Sequence, residues 1–262
     1  MKLFVSAAAA LAIASGASAT IIYSTGFEAP FVGSAGGTAM SGQQGYTTTA
    51  AGFGISNVAA NAHSGSQYAK IAANSVASTS GGSAWAYNFS AAAVATPSVI
   101  TVTGWVNIAG TVGTRVCYAG FDCYTSAVNR VGALSIGTDG SILLLNGVDN
   151  GSGGTGSAAT GAGVVSVGQW HQIGMSFDYN THLITYSVDG VALTTPSGFN
   201  TFDATSTDFG GALVWGVRGS TGTNGTGVEL RYDDLSIDST IPAPATLALA
   251  GLGGMIAGRR RR

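Results

Sequence analysis

The chain has 262 residues, of which 8% are charged and 45% hydrophobic, with 41 glycines and a formal net charge of −2. That apolar content can build a sizeable core, which excludes a wholly disordered chain, and glycine without a three-residue period excludes collagen. Away from the ends the only basic residues are Lys70, Arg115, Arg130, Arg218 and Arg231, against 12 acidic ones, so phosphate backbones repel the body and no nucleic-acid partner is expected.

Residues 1–19 have the order of an export signal peptide. Lys2 gives the positive start, residues 3–13 are apolar but short for a membrane span, and Ala17, Ser18 and Ala19 supply the small side chains a signal peptidase needs. The mature chain is expected to start near Thr20. Residues 20–240 are expected to form one all-β domain, because helix formers such as Glu and Lys are nearly missing and no stretch has helical periodicity.

In chain order, Phe27 and Glu28 fall in the first predicted strand, and residues 64–69 follow later. Residues 84–89 and 99–106 alternate in the manner of strands. Residues 133–137 lead to a turn at Asp139-Gly140 and residues 141–145 leave it, which predicts a hairpin. Residues 151–163 hold no large side chain and read as a mobile loop. From Trp170, apolar residues alternate through Ile173, Met175 and Phe177. A polar turn at 178–182 leads to a return strand through Ile184, Tyr186 and Val188, and a second turn falls at Asp189-Gly190. Residues 232–237 form the last strand. Trp105, Trp170 and Trp215 are expected to pack in the core, and Trp85 with Tyr87 to bury one face.

The stretch from Trp170 to Val191 resembles the tryptophan, hairpin, Asp-Gly signature of laminin-G-like, concanavalin A-type domains. The resemblance implies an antiparallel jelly-roll β-sandwich, an architecture that hosts lectins, glycan hydrolases and adhesion modules. The first and last strands of a jelly roll lie together, so Glu28 is expected to approach Asp233 or Asp234, where calcium would offset clustered carboxylates. The pattern is similar to the Phe-Glu and Asp-Asp pairing of MAM-type and galactose-binding-like domains, which implies a structural Ca2+ held by Glu28, Asp233 and Asp234. Solvated carboxylates at strand ends are the alternative.

Catalytic signatures are harder to find. Glu28 and Glu229 are the only glutamates, so the paired glutamates of concanavalin-type glucanases on one strand are absent. His63, His171 and His182 lack metal-ligand spacing, and no Gly-x-Ser-x-Gly elbow follows an apolar strand. Cys117 and Cys123 are an even pair in an exported chain, and a disulfide closing a small loop is the economical expectation. Free thiols are the alternative if the side chains point apart.

Residues 241–262 close the chain with Pro242-Ala243-Pro244, an apolar run from 247 to 258, and Arg259, Arg260, Arg261 and Arg262. The run is short for a membrane span, but terminal arginines reach the interface and hold their end in the cytoplasm, so a short transmembrane helix is expected. This segment resembles the PEP-CTERM sorting signals of bacteria, with Ala243 where the family usually has glutamate. The resemblance implies transient inner-membrane anchoring, processing by an exosortase-type enzyme, and release to the outer envelope or extracellular matrix. The function expected is non-enzymatic, with polysaccharide as a candidate partner. A carbohydrate-active enzyme and a purely structural surface protein are the alternatives.

Overall fold

The structure is a computed structural model, and it describes residues 18–48, 52–78, 83–146, 158–219, 222–223 and 227–241. The expected transmembrane helix and the sorting-signal residues Pro242, Ala243, Pro244 and Arg259 to Arg262 lie outside the described residues, as does all of the expected signal peptide except Ser18 and Ala19. Among the described residues, no helix is long and apolar enough to cross a membrane.

The strands run β1 (Ser18–Thr25), β2 (Thr38–Ala39), β3 (Thr47–Thr48), β4 (Gly54–Ser56), β5 (Tyr68–Ala72), β6 (Ser83–Tyr87), β7 (Val99–Ala109), β8 (Cys117–Tyr124), β9 (Arg130–Gly137) and β10 (Ser141–Asn146). They continue as β11 (Ala158–Val164), β12 (Trp170–Asp178), β13 (Leu183–Val188), β14 (Val191–Ala192), β15 (Gly211–Arg218) and β16 (Glu229–Ile241). One helical turn, α1 (Ala73–Ser78), follows β5. Nine strands form one sheet in the order β14-β13-β12-β7-β16-β5-β4-β2, with β1 added on β16. Seven form the other in the order β11-β10-β9-β8-β15-β6-β3. The two antiparallel sheets stack as a jelly-roll sandwich, the expected fold class.

The core between the sheets follows from the period of two. In β7 the even positions Ile100, Val102, Val106 and Ile108 are buried, and in β12 the odd positions Ile173, Met175 and Phe177 meet them from the same sheet. From the facing sheet come Cys117, Ala119, Phe121 and Cys123 of β8, Leu134 and Ile136 of β9, and Val214 of β15. The hairpin expected at Asp139-Gly140 is formed by β9 and β10, and that at Asp189-Gly190 by β13 and β14. Asp189 and Gly190 both have positive φ, at 51° and 76°, the backbone that a tight two-residue hairpin turn requires.

Three expectations need correction. Residues 158–163 of the expected loop belong instead to the edge strand β11, because a strand pairs through its backbone and needs no large side chain to do so. The Cys117–Cys123 disulfide is not formed. Both thiols are free and buried in the same uninterrupted strand, which pairs with β9 and β15 on its two sides. Six residues of extended chain hold their α-carbons on the order of 20 Å apart, far beyond disulfide reach. The third concerns tryptophan: Trp105 and Trp170 are only half-buried and do not pack in the core, whereas Trp215 is buried and Trp85 buries one face, as expected. Trp105 and Trp170 occupy the outward positions of β7 and β12, and Trp215 and Trp85 pack together on the outer face of the seven-stranded sheet. Alternation shows that one face of a strand is apolar, but it does not say which face turns inward when both carry large side chains.

Candidate functional site

Two clusters bring chemistry-bearing residues together. The first lies where β16 changes partners. Glu229 to Tyr232 pair with β5, and Leu235 onward pairs with β1, while the opposite edge stays on β7 with a register shift between Asp233 and Ser236. At this fork β1 has ended and β5 has not begun, so Asp233 and Asp234 would lack a ladder partner on one side. Residues 26–28, just past β1, and residues 63–67, just before β5, fill the gap. The left-handed φ of Phe27 (57°) and Asp234 (46°) turns the chain there.

Carboxylates take over the role of the missing ladder. Glu28 Oε1 accepts the amides of Ser66 and Gln67 at 2.6 and 2.7 Å, and its Oε2 accepts the Ser66 hydroxyl at 2.8 Å. Asp233 Oδ2 accepts the amides of His63 and Ser64 at 2.9 and 3.2 Å, and its Oδ1 accepts the Asp234 amide at 2.9 Å. Asp234 takes His63 Nδ1 and the Ser64 hydroxyl, both at 2.7 Å. The His63 imidazole stacks on Trp105 with centroids 3.7 Å apart and meets Trp170 edge-on at 5.8 Å.

Glu28 lies just past β1 rather than in the expected first strand, and it and the two aspartates take their donors from one segment, residues 63–67. Each of their oxygens already accepts a proton donor, and among the described residues no three His, Cys, Asp or Glu side chains form a group able to hold a metal ion. Burial first, and then the neighbouring Asp234 charge, push the Asp233 carboxyl up to about 7 against the pull of its amide donors. Burial also acts to raise Glu28, but the Gln67 and Ser66 donors outweigh it and hold that carboxyl below its ordinary value.

The second cluster, which the sequence did not single out as a site, covers the outer face of the seven-stranded sheet. Across its strands, Leu213 is flanked by Asp122 and Tyr87, and Trp215 by Gly120 and Trp85. A cavity of about 270 Å³ opens there, lined by Trp85, Tyr87, Phe89, Tyr124, Val128 and Leu213. Tyr87 and Phe89 are stacked at 4.8 Å, and Tyr124 closes on Phe89 at 5.9 Å. Val128 lies at 59% exposure with φ +63°, a rare backbone for a β-branched residue, held by a turn in which its amide reaches the Thr125 carbonyl at 3.0 Å.

Beside the aromatic slot stands an ion pair. Arg130 Nε and Nη2 donate to the two oxygens of Asp122 at 2.8 and 2.7 Å, and the Tyr124 hydroxyl donates to the same carboxylate at 2.9 Å. Asp122 is 0% exposed, and the guanidinium lies 5.6 Å from the Tyr124 ring centre and 5.7 Å from that of Trp215. Burial alone would lower the Arg130 pKa, but Asp122 and Tyr124 hold it above its ordinary value. Only the alternation of Trp85, Tyr87 and Phe89 hinted at this face from sequence; Asp122 and Arg130 are eight positions apart on adjacent strands and meet through the fold alone.

The remaining acid and base candidates are committed elsewhere. Glu229 is clamped by Lys70 at 2.8 Å and Arg231 at 3.0 Å. His171 approaches a Ser-His-Asp geometry, with Nδ1 2.8 Å from Asp189 and Nε2 3.3 Å from the Ser166 hydroxyl. Its Nε2 is nearer the Ser166 carbonyl, at 2.7 Å. The ring nitrogen that would face a serine nucleophile thus lies closer to the Ser166 backbone oxygen than to its hydroxyl.

Comparison with known proteins adds the decisive observation about the C-terminus, where the PEP-CTERM protein-sorting motif matches residues 240–262. The chain ends in a PEP-CTERM signal. A PEP-CTERM signal marks a protein that is exported, transiently anchored in a membrane, and processed by an exosortase, itself a membrane enzyme. No curated protein matches the chain. Among solved structures, the body that precedes the PEP-CTERM signal is similar to an endo-1,3-β-glucanase from Streptomyces sioyaensis, with a TM-score of 0.55 at 12% identity over 86% of this chain and 97% of that one. It also matches a sialidase (TM-score 0.47, 11% identity, 75% of this chain) and the binding domain of Paraclostridial Mosquitocidal Protein 1 (TM-score 0.48, 12% identity, 86% of this chain). It spans 17% of the sialidase and 50% of the binding-domain chain. The likeness to the glucanase supports the jelly-roll fold.

Proposed function

We propose that this protein is a non-enzymatic component of the outer envelope or extracellular matrix that binds polysaccharide on the outer face of its seven-stranded sheet. In this reading residues 1–19 are removed on export and the exosortase acts near Pro242-Ala243-Pro244, leaving a laminin-G-like body. The observation that carries it is the aromatic slot of Trp85, Tyr87, Phe89 and Tyr124 beside the Asp122–Arg130 pair. Sugar rings stack their C–H faces on aromatic side chains and take hydrogen bonds from polar groups at the margin. The engagement of Glu28 by Ser66 and Gln67, and of Glu229 by Lys70 and Arg231, favours binding without hydrolysis.

A glycan array probed with the processed protein tests this reading. Binding is expected, with no release of reducing sugar from the bound polymers. An array without binding leaves a purely structural surface protein, and sugar release abolished by Glu28→Gln or Glu229→Gln would make it an enzyme.

A further inference from the structure

Resting on that reading, we infer that the slot selects neutral sugar units and excludes uronate-rich or otherwise anionic polymers. The first reason is the charge of the lining. The cationic group beside the slot, Arg130, is matched by Asp122 through two hydrogen bonds on a carboxylate with no solvent exposure, so the pair is neutral as a unit. A sugar carboxylate would have to compete with Asp122 for that guanidinium, and separating a buried pair leaves Asp122 as an uncompensated charge.

The second reason is the body as a whole. Of its five basic residues, Lys70 and Arg231 are paired with Glu229 and Arg130 with Asp122, against 12 acidic residues. Such a body repels a polyanion before contact. The third is shape. A cavity of about 270 Å³ is small for a ligand site, so it takes one ring of a chain at a time, between the stacked Tyr87 and Phe89 and the exposed Val128 at its mouth. The left-handed region is unfavourable for a β-branched residue, and here it sets an apolar side chain against the slot.

Affinity electrophoresis of the full chain through gels containing hydroxyethylcellulose, dextran or alginate tests the inference. Retardation by at least one neutral polymer and none by alginate is expected. Phe89→Ala should weaken that retardation roughly tenfold through loss of ring stacking. Val128→Gly should weaken it too while preserving the melting temperature, because glycine accepts φ +63° without strain. Retardation by alginate alone would overturn the neutral selectivity and leave carbohydrate binding standing. Retardation by none of the polymers, together with a blank glycan array, would remove both. Neutral binding unaltered in Val128→Gly and in a folded Phe89→Ala would place the sugar elsewhere and overturn the slot.

Discussion

Asp233, buried in β16, accepts the backbone N–H of His63 at 2.9 Å across 170 positions of sequence. That bond and its companions join the start of the domain, its early loop and its last strand where the sheet changes partners. Removing Glu28 or Asp233 leaves backbone amides of residues 63–67 without their acceptor, and removing Asp234 takes the acceptor from the His63 ring and the Ser64 hydroxyl, so the fork is a place where small changes in protonation matter.

The pH dependence of stability has a defined sign at this point. The folded Asp233 carboxyl sits at about 7, above its ordinary 3.8. Its contribution is therefore fully present at acid pH and is lost as pH rises through the folded value. Glu28 acts oppositely: its folded value is lowered, so its contribution is present above the ordinary value of 4.5 and is lost as pH falls through the folded one. Thermal melts across this range should show Asp233→Asn losing the decline in stability between about pH 4 and about 7 that the parent protein shows. Parallel curves for the two proteins would refute the assignment to Asp233.

Calcium would compete with the donors that now occupy Glu28, Asp233 and Asp234. Because those donors satisfy every carboxylate oxygen, adding EDTA is expected to leave the melting temperature unchanged. A clear fall on chelation, reversed by added Ca2+, would show that an ion displaces some of them in solution.

The Asp122–Arg130 pair should reveal itself by the asymmetry between breaking and replacing it. Asp122→Ala leaves a largely buried guanidinium without its acid and should cost about 3–5 kcal/mol in a urea titration. Replacing both, as Asp122→Leu with Arg130→Met, should cost far less than the sum of the single changes. Additive losses would mean that the two residues do not act as a pair.

The strands were legible because alternation and Asp-Gly turns are local signals, and the hairpins at Asp139-Gly140 and Asp189-Gly190 form as expected, whereas the two-sheet arrangement followed from the resemblance to concanavalin A-type domains. The pairing of the first and last strands, which brings Glu28 and the two aspartates to the same segment, was legible from the tendency of the terminal strands of a jelly roll to lie together. What answers those carboxylates was not. The donors of residues 63–67 have no motif, since any backbone amide can serve. The cysteines misled because an even count says nothing about whether both residues lie on one straight strand. Trp105 and Trp170 misled because both faces of their strands carry apolar side chains, so alternation alone does not say which face turns inward.

The pairing of Thr20 with Ser239 means that the polypeptide enters and leaves the domain side by side, at one pole. Pulling these two ends apart would load the β1–β16 bonds one after another, as a zipper, rather than all at once in shear. A body wired in this way is mechanically suited to hang as a pendant from a single point of attachment, and poorly suited to serve as a link in a taut fibre.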